Sequence, residues 1–180
     1  MSDEFNIENI ETFINAVSET EISDISKIIK KMIDLKNDGK RSITKKSKPY
    51  DILDKIKLNN FSKIFEMKIK KYHIEAHDVV EDAIMCLEEL EACIQNDLFD
   101  YYWEVYTDVL YIKGIDIEDQ ENIKENADNI YLNVQQKILK DIFCGKVSDI
   151  SSNKKLTYIS AITAYVFYKC KFLIPIENID

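Results

Sequence analysis

Apolar residues return at every third or fourth position along almost the whole chain, and that spacing restricts the fold more than any other feature of the sequence. A period near 3.6 gathers such residues on one side of a helix, whereas a half-buried strand needs strict alternation, and no alternating run of convincing length occurs. Ile10, Phe13, Ile14 and Val17 form one stripe, and Ile22, Ile25, Ile29, Met32 and Ile33 form another. Val80, Ala83, Ile84, Leu87, Leu90 and Ile94 define an amphipathic helix with Glu88, Glu89 and Glu91 on its wet face. Residues 98–112 carry an aromatic set (Phe99, Tyr102, Trp103, Tyr106) together with Leu110, and Gly114 offers the stop. Ile123, Ala127, Ile130, Tyr131, Val134, Ile138 and Ile142 make a long third stripe ending at Gly145. Residues 149–152 supply candidate N-caps for a last helix in which Leu156, Ile159, Ile162, Val166, Phe167 and Cys170 face inward. Its other side, with Ala161, Ala164 and Tyr165, is also apolar, as expected of a central helix buried by its neighbours and ended by Pro175. The expectation is an all-α bundle of about six or seven helices with a central apolar C-terminal helix.

Only 3 glycines and 2 prolines occur among 180 residues. That scarcity disfavours sandwiches, barrels and phosphate-cradling loops, whose turns depend on both residues. A polar, basic stretch over 37–48 holds Gly39 and stops before Pro49. It divides an N-terminal helical hairpin (1–36) from a main helical bundle (49–180). In the bundle, residues 51–57 read as a short helix interrupted at Asn59-Asn60, after which Phe61, Ile64, Phe65, Met67 and Ile69 resume the pattern.

Charge is segregated along the chain. Residues 1–25 carry 7 acids and no bases, residues 26–71 carry 15 bases and 5 acids, and residues 72–153 carry 19 acids and 5 bases. Either these blocks neutralise one another within the fold, or the acidic helices form a face aimed at a basic protein partner and speed its association. A net charge of −9 and a single arginine, Arg41, argue against a direct nucleic-acid binder, although the 26–71 lysines leave a basic patch open. Four cysteines (Cys86, Cys93, Cys144, Cys170) without a C-x-x-C pair read as small core residues rather than a disulfide scaffold. No signal-peptide pattern opens the chain, and the longest uncharged run, residues 156–168, is too short to cross a bilayer. These features lead to the expectation of a cytoplasmic protein with reduced thiols and no membrane association.

Chemistry-bearing motifs are sparse. His73 and His77, with Glu81 one turn on, share a helix face, so a metal site is geometrically possible. The stretch is H-x-E-x-H, not the zinc-protease H-E-x-x-H, and no further ligand stands out, so two exposed helical histidines with no metal are expected. Neither phosphate-binding glycine loop nor a G-x-S-x-G elbow is present. The R-x-x-x-x-H pattern of helical RNases is missing too, since Arg41 lies 32 residues before His73. No catalytic residue and no cofactor is assigned, and a non-enzymatic protein is expected. Tyr101-Tyr102-Trp103 cannot all face the core, because neighbours on a helix lie about 100° apart. Exposed aromatics anchor interfaces, so Tyr101 and Trp103, with Glu88, Glu89 and Glu91, are the candidate partner-binding residues.

The stretch Lys55-Ile56-Lys57-Leu58-Asn59-Asn60-Phe61-Ser62, following Pro49-Tyr50, resembles the "K-I-x-x-N-x-hydrophobic-S" opening of the C-terminal domains in bacterial ABC-three-component conflict systems. The Val166-Phe167-Tyr168-Lys169-Cys170-Lys171-Phe172 run is similar to the apolar helix, cysteine and hydrophobic tail that end them. The resemblance covers roughly residues 49 to 175. It implies an all-helical adaptor that docks onto an SMC-like ATPase in defence against phage or plasmids, with no catalytic residues to carry over. The 48 residues before the match are too few for the usual effector domain, which leaves a stand-alone adaptor or middle component. Two other readings stay open: an immunity protein or antitoxin masking a basic toxin, and a virus-encoded helical bundle of the apoptosis-regulator type.

Overall fold

A computed structural model describes residues 24–38, 49–144, 151–170 and 172–176. The first apolar stripe, Gly145 and all but two residues of the 37–48 stretch lie outside these. Seven helices and no strand occur among the described residues. They are α1 (24–37), α2 (Pro49–Leu58), α3 (Lys63–Glu88), α4 (Ile94–Lys113), α5 (Gln120–Glu125), α6 (Ala127–Cys144) and α7 (Ser152–Lys169). The all-α bundle expected from the periodicity is what forms.

Local chemistry sets the breaks. Ser62 opens α3 from an extended backbone, its hydroxyl accepting from the Phe65 amide. Gly114 closes α4 at φ +65°, with its own amide bonded to Tyr111 O and the Ile115 amide to Leu110 O. Asp119 caps α5 by accepting from the Asn122 amide at 3.1 Å. The long stripe expected from Ile123 to Ile142 is therefore cut at Asn126, whose side chain folds back onto Asn122. The stripe expected from Val80 to Ile94 is also not one helix. α3 ends at Glu88, Leu90 is 85% exposed, and Cys93 turns the chain at φ 76° so that Ile94 starts α4.

α7 is the central helix. Every residue from Tyr158 to Phe167 is buried, with α3 and α6 alongside. Leu156, expected to face inward, is 44% exposed because it borders an open concavity beside α3 and α6 rather than a packed neighbour. The helix stops at Lys169 rather than at Pro175, and the chain turns back so that Phe172, Leu173 and Ile174 are buried too. Phe172 packs within 5.5 to 6.4 Å of the Tyr106, Tyr131, Phe167 and Tyr102 rings. α1 joins the same core through Ile25, Ile28, Ile29 and Met32.

Candidate functional site

α2 and the C-terminal turn are locked together by two polar side chains that lie inside an apolar bundle. The buried Lys55 ammonium donates to the carbonyls of Phe167 and, at 2.6 Å, Cys170, and stands 4.8 Å from the Phe167 ring centre. Those carbonyls are the unsatisfied end of α7, where the helix dipole favours a cation. Burial pulls the lysine down to about 8. One turn later, buried Asn59 donates to Ile174 O at 3.0 Å and accepts from Ile174 N at 2.9 Å, completing a two-point clasp on the tail. The Lys55/Asn59 motif and the Cys170 ending, far apart in sequence, form one joint.

His73 and His77 were expected at the surface, but they lie inside, at 1% and 3% exposure, because α7 covers that flank of α3. Their rings are 4.6 Å apart and Tyr168 meets both. Burial holds both imidazoles neutral, His73 at about 3, and His77 is lowered despite Glu81 3.8 Å away. Glu81 itself takes Lys169 at 3.0 Å. Among the described residues, no three His, Cys, Asp or Glu side chains are grouped to hold a metal ion. The pair serves as packing between α3 and α7. Cys93, expected in the core, is exposed at the α3–α4 turn.

The proposed partner-binding residues fall into two places. At the α3–α4 corner, Glu88 accepts from the Gln95 amide at 3.1 Å, capping α4, and Glu91 takes Lys27 of α1 at 2.7 Å. Glu89 closes α3 and is exposed. Lys27 also holds Asp24 at 2.9 Å, and these two carboxylates keep its ammonium above the usual lysine range. Asp24 leads to the second place. There Asp24, Ile25, Leu98, Tyr101 and three acids of α4 (Asp97, Asp100, Glu104) enclose a cleft of about 310 Å³. Tyr101 forms its wall, tied by its hydroxyl to Asp141 of α6 at 3.0 Å. Trp103 is half-exposed at 37%, on a separate hollow of about 200 Å³ with Ile117, Ile123 and the tail. Tyr111, two turns further on, is 86% exposed.

Sequence reasoning missed Asp97, Asp100 and Glu104, although their i, i+3, i+7 spacing marks one helix face. None of the three has an ion-pair partner among the described residues. The basic and acidic blocks meet at a few points. Among the described residues, Lys27 joins the basic block to both acidic ones through Asp24 and Glu91, and Lys169 reaches Glu81, while Lys57–Asp54, Lys63–Glu66, Lys124–Glu121 and Lys137–Asp108 stay within one block.

A third concavity, about 510 Å³, opens between α3, α6 and α7 over Phe65, Ile69, Tyr72, Tyr131, Leu132 and Leu139. No described helix is long and apolar enough to cross a membrane. No family model, curated protein or solved structure matches the chain.

Proposed function

We propose that this chain is a non-enzymatic helical interaction module, an adaptor of an anti-phage or anti-plasmid defence system that docks onto a protein partner through the outer face of α4. The observation that carries the reading is the charge left unanswered on that face. Asp97, Asp100 and Glu104 flank an apolar-floored cleft, and Trp103 and Tyr111 supply exposed aromatic anchors on the same helix. A partner presenting lysines or arginines with apolar stems fits both the rim and the floor. The adaptor assignment is supported by the joint of Lys55, Asn59 and the Cys170 ending, since both stretches of the ABC-three-component resemblance serve one structural purpose. The same cleft favours a second reading, an immunity protein that masks a basic toxin.

The test is affinity capture from the native host with the wild type and an Asp97→Lys/Asp100→Lys/Glu104→Lys variant. An SMC-like ATPase retained by the wild type and lost at least tenfold by the variant supports the adaptor; a single small basic toxin supports the second reading. No partner at any salt concentration removes both.

A further inference from the structure

α3 is 26 residues long, and it buries one side against the bundle through Ile69, His73, Ala76, Val80 and Ala83. Its opposite side carries Ile64, Met67, Ile74 and Met85, each more than half exposed. Lys71, exposed, and Asp78, half-buried, stand between them. The six residues follow steps of 3, 4, 3, 4 and 7, a single stripe about 32 Å long at a rise of 1.5 Å per residue. None of them lines the three concavities described above, so the stripe is a ridge. A small ligand has no seat on a ridge, whereas another helix can lie along it.

Charge is divided along the same helix. Residues 63–71 hold four lysines and one acid, and residues 72–88 hold five acids and no lysine or arginine. Lys71 and Asp78 stand at equal distances from the midpoint between Ile74 and Glu75, and so do Ile64 and Met85. Neither Lys71 nor Asp78 has an ion-pair partner among the described residues.

We propose that this face of α3 binds the same face of a second copy of the chain, the two helices running antiparallel about a twofold axis beside Ile74. That axis sets Lys71 beside Asp78 of the second copy and Ile64 beside its Met85, and symmetry repeats both contacts. The lysine-rich half of each helix then lies along the acidic half of the other. A parallel pairing opposes lysine to lysine and acid to acid, which like-charge repulsion disfavours. A uniformly basic or acidic partner would satisfy one half of α3 and repel the other, so the pattern selects a copy of itself. Charged residues within an apolar seam also fix the register at which the helices meet. The surface shares no residue with the α4 cleft, so the dimer does not rest on the partner proposed for that cleft.

Sedimentation velocity on the full chain over a dilution series tests this. The wild type should sediment at twice the chain mass of 21.1 kDa and dissociate on dilution. Lys71→Glu and Asp78→Lys each set like charges side by side at both contacts, and each should weaken the dimer at least tenfold. Mixed in equal amounts, the two variants should recover it, because the reversed charge of one meets the reversed charge of the other. That recovery also shows that both variants are folded. Ile74→Asp, at an exposed position on the axis, should be monomeric with the circular dichroism of the wild type. A wild type that is monomeric throughout the series overturns the proposal. So does a dimer indifferent to the three substitutions, which puts the interface elsewhere, or a mixture of helical variants that stays monomeric, which removes the antiparallel register.

Discussion

Taking a lysine out of water disfavours its charged form, and at Lys55 that effect has a definite sign against pH. The folded chain holds the ammonium at about 8, against 10.5 for an ordinary lysine. Between those values the unfolded chain binds more protons than the folded one, so this site adds stability as pH rises from 8 toward 10. Urea titrations at pH 7.5 and 9.5 should show the wild type gaining about 2 kcal/mol more over that interval than Lys55→Met does. His73 has the same sign in a lower pH window. Its imidazole is lowered from 6.5 to about 3, so its contribution is complete above pH 6.5 and is lost on acidification. At pH 5 the loss from His73 alone should be about 2 kcal/mol, and His73→Phe should flatten that limb. Of these residues, the sequence makes Asn59 and Lys55 visible as a motif but says nothing of their depth. A lysine four before an asparagine looks like a wet helix edge until its partner, 112 residues away, is known. The histidines were misjudged for a related reason: Ile69, His73, Ala76, Val80 and Ala83 lie on one flank of α3, and two polar rings in that flank can be read as its boundary.

Among the elements, the helices follow from apolar periodicity and their ends from side chains that periodicity does not register. Gly114 was legible as a stop because a left-handed C-cap suits glycine. A Cβ there would meet nothing within 4 Å, so Gly114→Ala should cost only the backbone strain, about 1 kcal/mol, in chemical denaturation. The α3–α4 turn was not legible, since Leu90 and Ile94 keep the helical spacing and Cys93 takes a left-handed backbone that its residue type does not announce. The tail was hidden for the same kind of reason. Phe172 follows the helix end with no period of its own, yet it fills the space among four aromatic rings. Phe172→Ala should lower stability by about 3–5 kcal/mol, comparable to the loss of a main core residue, as read from the thermal midpoint.

At the scale of the molecule, charge is segregated along the chain, and Asp97, Asp100 and Glu104 of α4 stand without ion pairs among the described residues. Acids so placed direct oppositely charged partners over distances of about one Debye length, some 10 Å at 0.1 M salt. Association with the partner proposed above should therefore slow steeply between low and moderate salt while dissociation changes little, in stopped-flow or surface-capture kinetics. The acids of that face were present in the sequence as a net count, but which of them lack partners depended on how α1, α3 and α4 meet. The clasp at residue 174 bears on how the protein is made. Asn59 and Lys55 leave the ribosome early, whereas the backbone groups they hold are among the last described residues to follow. Until then α2 lacks its polar anchor and the aromatic centre stays open to water and to other nascent chains. A stalled or prematurely terminated product lacking Phe172 and Ile174 would expose that centre, which makes such fragments the natural substrates of chaperones and proteases.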